Sequence, residues 1–371
     1  MTVVEVAVPT SPKDVINRAI LEVSEDQIKG FVREPMHELA MRSGIDAGTV
    51  IERIQAMLAA GVIRRVRQTL LATNLAQGAL VAWKIGPQNA ALGFDFIAKE
   101  DPFSGHVVIR NSEIGATDWP LWTTLKVPTG FSIEKHCDYL AGQIGAEKYR
   151  IMPALRAFVL GVGHMRRKEM KVGEMADQPA MDMTPAIVDL SDRDWRVLVE
   201  LKRDFTPEEI GFEMWERRAF AAGIDPDEFL DVAESLDRRG VIGRFSTFLE
   251  HTKPVGEASE RLSSFNGLFH WAVPQGREIE AGREIGRFRI LTHCYWRDGG
   301  PELNNVNIMA VAHGETKAQV MAHKAAIDKY LNDTGIGFTY TNVFWGGRAE
   351  IKPSEISPAV YRQWAQQRGL I

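Results

Sequence analysis

The stretch Ile290-Leu-Thr-His-Cys-Tyr-Trp-Arg297 gathers residue types that could do chemistry. Phe288-Arg-Ile-Leu291 reads as the opening of a strand. Continued, it places His293, Tyr295 and Arg297 two residues apart, all on one sheet face. A proton carrier near neutral pH, a phenol and a guanidinium on one face suit the handling of a carboxylate. After a Gly-Gly-Pro turn, Asn305-Val-Asn-Ile-Met-Ala-Val-Ala-His313-Gly314 reads as a second strand that carries a further imidazole. The same spacing also fits an ordinary sheet edge with exposed polar residues, so the elements that position it have to be read too.

The chain has 371 residues, room for roughly two to four domains with sizeable cores. Hydrophobic residues make up 45% and charged residues 25%, as in ordinary globular proteins. A net charge of −5 argues against a general binder of nucleic acid or anionic membrane. Cys137 and Cys294 are the only cysteines, too few for a disulfide framework or a cysteine-rich zinc site. No apolar run is long enough to cross a bilayer. The first residues lack the basic region and apolar core of a signal peptide, so a cytoplasmic location is expected.

Stepping along the chain reveals a repeat. Residues 1–15 read as a tail. Residues 16–75 give a helix stopped at Gly44, a helix from Asp46 to Gly61, and an alternating strand, Gly61-Val-Ile-Arg-Arg-Val-Arg-Gln-Thr-Leu-Leu71. Helix, turn, helix and hairpin wing make a winged helix-turn-helix. Residues 188–252 repeat it, with a serine cap at Ser191, a stop at Gly223, an acidic helix after Asp225, and a wing from Gly240. After each wing comes a strand holding a tryptophan, Trp83 or Trp271, then a helix, two strands, a helix and a last strand. These are ferredoxin-like βαββαβ domains at 76–165 and 262–350. The last strands are assigned to Ala154–Val162 and Phe338–Trp345. Residues 166–187 read as a linker. Residues 351–371 hold a terminal helix with Val360, Tyr361 and Trp364 on its apolar side. The expected fold is α+β: a tandem duplication of winged helix plus ferredoxin-like domain, pseudo-two-fold within one chain.

This order resembles the Lrp/AsnC architecture of bacterial regulators, and more closely an offshoot of it, the sirohaem decarboxylases, in the fused form of what are usually two related subunits. The residues that carry the resemblance are the wings Gly61-Val-Ile-Arg-Arg65 and Gly240-Val-Ile-Gly-Arg244, the strand 267–274, and above all Thr292-His-Cys-Tyr-Trp-Arg297 followed by Asn307-Ile-Met-Ala-Val-Ala-His313-Gly314. It covers roughly residues 16–165 and 188–350. In the first half, the slot of His293 falls in Val108-Ile-Arg-Asn-Ser-Glu113, where Arg110 or Asn111 stands and neither titrates near neutral pH. The resemblance therefore implies one working cleft, in the second half. Residues 252–266 and Trp345-Gly-Gly-Arg348 depart from the family pattern.

What the resemblance implies is decarboxylation of the acetate side chains of sirohaem, an iron tetrapyrrole with eight carboxylates, in haem or modified-haem biosynthesis. No cofactor is required. The ring is protonated at the carbon bearing the side chain, the breaking bond returns its electrons to the ring, and the proton is later replaced. A positioned acid typically contributes ~100- to 10,000-fold. His293 is the expected acid, Arg297 the orienter of a carboxylate, and Tyr295 a hydrogen-bond donor or ring contact. His313, Arg289, His270 and Trp271, with Arg110, Trp119 and Trp122 of the first half, are candidate substrate contacts; for each, packing or a salt bridge is the alternative. The wing arginines Arg64, Arg65 and Arg244 fit structural salt bridges, with contact to propionates as the alternative. No metal site is expected, and His136, His164, His251 and His323 carry no assigned role.

Two other readings stay open. One is a tetrapyrrole-binding protein without turnover. The other is a DNA-binding regulator, against which the second copy's helix places Asp225, Asp227, Glu228, Asp231, Glu234 and Asp237 where phosphates would lie. The expected partners are the tetrapyrrole and a possible second copy or related subunit, with no nucleic acid and no membrane.

Overall fold

A computed structural model describes residues 8–71, 74–161, 167, 170–250 and 265–371. In chain order the first elements are α1 (Val15–Ser24), β1 (Ile28–Lys29), α2 (Pro35–Ser43), α3 (Ala47–Ala59) and β2 (Ile63–Leu70). Next come β3 (Ala76–Lys84), α4 (Pro87–Glu100), β4 (Ser104–Ser112), β5 (Leu121–Pro128), α5 (Ile133–Ile144), β6 (Lys148–Pro153) and β7 (Arg156–Leu160). The second half has α6 (Asp192–Lys202), α7 (Met214–Ala222), α8 (Pro226–Arg238) and β8 (Ile242–Leu249). It continues with β9 (Phe265–Ala272), α9 (Glu278–Ile285), β10 (Leu291–Trp296), β11 (Ile308–Gly314), α10 (Lys317–Asp333), β12 (Tyr340–Ile351) and α11 (Pro358–Gln367). The architecture is mixed α/β, in two compact units: Met1–Leu71 with Val162–Glu169 and Val188–Ser264, and Ala72–Gly161 with Met170–Ile187 and Phe265–Ile371.

In the first unit, Asp46 and Asp225 cap α3 and α8 through their side chains, and Ser191 forms a capping box with Asp194 on α6. Gly44 and Gly223 end α2 and α7 in the left-handed region, at φ 72° and 64°, where a Cβ would strain the turn. The expected hairpin wings differ from the structure. β2 does not fold back on itself; it pairs antiparallel with β8 of the other repeat, in a three-stranded sheet β1-β8-β2. An alternating strand leaves its hydrogen-bonding partner unspecified, and here the partner is its own repeat copy. Arg65 makes a 3.3 Å ion pair with Asp204 in this unit.

The second unit holds a nine-stranded sheet in the order β6-β3-β5-β4-β12-β9-β11-β10-β7. Its first and last strands are consecutive in the chain, so the sheet curls on itself. One face packs on helices: Trp83, Val107 and Leu121 with α4, α5 and α11, and Trp271, Cys294 and Ala310 with α9 and α10. The other face turns inward, where Ala82, Val108, Trp122 and Met152 meet Leu268, Met309 and Phe344. The register repeats between the halves. Trp122 pairs with Val108 and Met309 with Tyr295. A bulge precedes His106 in β4, as one precedes His293 in β10.

The first ferredoxin-like unit is closed by β6, which pairs with β3; the expected last strand, now β7, instead crosses to pair with β10. β12 does both jobs in one strand, pairing first with β9 and then with β4, through a register shift at Gly346–Ala349. This is what the departure at Trp345-Gly-Gly-Arg348 accomplishes. The strand expected from Phe288 begins only at Leu291. The linker residues 170–187 lie along the second unit as a strap, held by bonds from Arg283 Nε to Ala180 O and Arg287 Nε to Ala176 O, each about 3 Å. In α11, Tyr361 and Trp364 are buried but Val360 is 43% exposed. Much of 252–266, with His164 and His251, lies outside the described residues.

Candidate active site

β10 presents Leu291 and, past a bulge, Cys294 to the helix-side core; from His293 on, period two turns His293, Tyr295 and the following Arg297 inward. The three form a row. The Tyr295 ring lies 6.1 Å from the His293 ring at an interplanar angle of 18°, and the Arg297 guanidinium carbon sits 4.5 Å from the Tyr295 centroid. His293 and Tyr295 are partly exposed; Arg297 is buried and donates from Nη1 to the Met152 carbonyl. Burial lowers the Arg297 pKa, opposed by Tyr295. His313 of the adjacent β11 shares the inner face, two residues beyond Val311, the partner of His293.

Arg110 also belongs to the inner face. It is 4% exposed, with Nη1 donating to Phe344 O at 3.1 Å and Asn266 Oδ1 at 3.3 Å, and burial lowers its pKa to about 10. Asn266 pairs in register with His313. Among the described residues, no acidic side chain pairs with Arg110 or Arg297. His270 faces inward but is sealed between Trp122 and Phe344, at ring separations of 5.7 and 4.8 Å. Burial first, then Arg110 and Lys324, push its pKa down to about 3. His270 is therefore neutral at physiological pH and does not serve as an imidazolium acid.

Other candidates fall elsewhere. Trp271 turns to the helix-side core, where Nε1 donates to Asp328 at 2.6 Å and the Lys324 ammonium sits 4.6 Å from its ring. A strand's faces alternate, so a neighbour of His270 cannot share its side. Arg289 precedes the strand, is exposed, and pairs with Glu174 of the strap at 3.4 Å, so it does not extend the cationic row. Trp119 and Trp122 are buried in packing, with Trp122 Nε1 bonded to Trp119 O.

The reading of the first half needs its own correction. Neither Arg110 nor Asn111 stands in the slot of His293. Thr124 pairs with His106 as Val311 pairs with His293, two residues past Trp122 and Met309. His106-Val-Val-Ile-Arg110 thus matches His293-Cys-Tyr-Trp-Arg297, with Val108 in place of Tyr295. Arg110 and Arg297 even make the same crossing bond, to Phe344 O and Met152 O. The first repeat keeps its histidine. The repeated His-x-x-x-Arg spacing was the signal for it.

Lys126 was also missed. It matches His313 by register and lies on the inner face of β5, its stem and ammonium over Gly78. Burial first, and Arg297 second, lower its pKa to about 7. Among the described residues, no group of three His, Cys, Asp or Glu side chains could hold a metal ion, and no helix is long and apolar enough to cross a membrane.

Two inward-facing repeats share one sheet, with cations and imidazoles on the common face. The model of the AsnC-like ligand binding domain matches residues 75–158 and 263–339, one stretch in each half of the chain. The resemblance drawn from the sequence is borne out. A sirohaem decarboxylase of Hydrogenobacter thermophilus is 25% identical over 319 residues, 84% of this chain and 89% of that protein. The sirohaem decarboxylase NirH subunit of Stutzerimonas stutzeri is 27% identical over 141 residues, 37% of this chain and 76% of the subunit. The crystal structure of the sirohaem decarboxylase NirDL shares the fold, with a TM-score of 0.65 at 19% identity over 94% of this chain and 97% of that one. A crystal structure of NirDL in complex with an iron-uroporphyrin III analogue matches equally, at 0.65 over 95% and 99%.

Proposed function

We infer that this chain is a carboxy-lyase that removes acetate carboxyl groups from sirohaem in haem or modified-haem biosynthesis. One observation carries the reading: buried Arg110 and Arg297 stand on the shared inner face of two AsnC-like domains, unpaired with acidic side chains among the described residues. Buried cations without counter-charges suit a ligand that brings several carboxylates of its own. Apolar Leu80, Val311 and Tyr340, only partly buried against the inner cluster, suit the flat ring.

His293 is proposed as the acid of the second repeat. Arg297 holds the carboxylate ionised, and Tyr295 keeps the two at a fixed separation. Each turnover breaks one carbon–carbon bond, releases carbon dioxide, and leaves the electron pair in a new C–H bond, so one proton is consumed per acetate. His106 with Arg110 is the corresponding pair of the first repeat, which replaces the expectation of a single cleft in the second half.

The first unit is read as two winged helix-turn-helix modules, supported by the order α2-α3-β2 and α7-α8-β8. A cavity of about 600 Å³ in it is lined by Glu34, Glu38, Glu213, Glu216 and Asp227 beside Arg33 and His37. Acidic walls disfavour both a duplex and an octacarboxylate, so the substrate is assigned to the inner sheet face. Anaerobic incubation with sirohaem, read by product mass, tests the reading. Loss of carbon dioxide is expected; tight binding with unchanged mass would reject it.

A further inference from the structure

The geometry points to a carboxylate anchor built from both repeats: Lys126 of β5 and Arg297, just past β10, together hold one peripheral carboxylate of the tetrapyrrole. The inference rests on the sirohaem reading and names a contact within it. Lys126 pairs with Gly78 of β3, and Arg297 bonds the carbonyl of Met152, which pairs with Leu80 of the same β3, so the two cations converge beside one strand and feel each other's charge. Among the described residues, neither pairs with an acidic side chain. Arg297 is committed through Nη1 to Met152 O, which leaves the rest of its fork for another acceptor. Like charges held together oppose folding, and a bridging carboxylate would offset both.

Gly78 supports the placement. A Cβ at Gly78 would stand 2.2 Å from Lys126 Nζ and 2.8 Å from its Cδ and Cε. The bare backbone is the floor on which the lysine lies, and a side chain at Gly78 would push the lysine's flexible end off it. Arg297 is the charged group set against Lys126; His106 of the adjacent β4 pairs with Thr124, two residues along, while the lysine leans the other way, over β3. With a pKa pushed to about 7, Lys126 is only partly charged in the free protein. A bound carboxylate would draw a proton onto it.

The test titrates wild type, Lys126→Met and Gly78→Ala with iron-uroporphyrin III. Lys126→Met should weaken binding roughly tenfold to a hundredfold, as expected for one charge-assisted contact. Its unfolding midpoint at pH 7 should hold or rise, because a strained cation has gone. Gly78→Ala should weaken binding through displacement of the lysine. Calorimetry in buffers of different ionisation enthalpy should find proton uptake near pH 7 in wild type and less in Lys126→Met. Wild-type binding with an unaffected Lys126→Met overturns the anchor alone, as does a lowered unfolding midpoint, which would make the lysine structural. No binding by wild type overturns the substrate reading and the anchor with it.

Discussion

At the scale of residues, the inner face separates imidazoles that can work from one that cannot. His293→Gln should slow carbon dioxide release ~100- to 10,000-fold while tetrapyrrole affinity stays within a few-fold, since an acid acts on the transition state. A loss of binding without a change in rate would make His293 a ligand instead. His106→Gln is expected to leave the product one carboxyl group short of completion, read by mass; a product identical to wild type returns the reaction to the second repeat alone. His270 gives a pH test. Its folded pKa of about 3 lies below the usual 6.5, so the unfolded chain binds the extra proton between those values. Stability is thus intact above about pH 6.5 and falls as pH drops toward 3, by up to about 1.4 kcal/mol per pH unit. His270→Phe should flatten that part of a urea-midpoint profile; an unchanged slope would place the titration elsewhere.

At the scale of elements, β4 and β10 do the positioning. A bulge before each histidine resets the alternation so that histidine and arginine face inward together. α11 matters from outside. Its Trp364 ring stacks on His136 at 4.7 Å and meets Phe103 at 5.3 Å, closing the core behind the first repeat. Trp364→Ala should cost about 3 kcal/mol in denaturant unfolding; a loss under 1 kcal/mol would mean that the helix is not part of that core. The alternation in β10 was readable because its sequence is. The face of Trp271 was not: one residue of parity decides it, and parity depends on the partner strand.

At the scale of the molecule, the acidic helix α8 and the acidic cavity of the first unit oppose a phosphate backbone, although Arg33 offsets Asp231 and Glu234 through ion pairs of 2.8 and 2.6 Å. The protein should pass a duplex-DNA column at low salt; retention released by salt would restore the regulator reading.

By itself the sequence determined the repeat, the helix stops and the His293–Arg297 row, because caps, glycine stops and period-two patterns are local. Only the tertiary structure decided that β2 pairs with β8, that β7 and β12 cross between the halves, and that Lys126 comes to Arg297. Those outcomes depend on which distant strands share hydrogen bonds, and an alternating pattern satisfies many partners equally until the sheet closes.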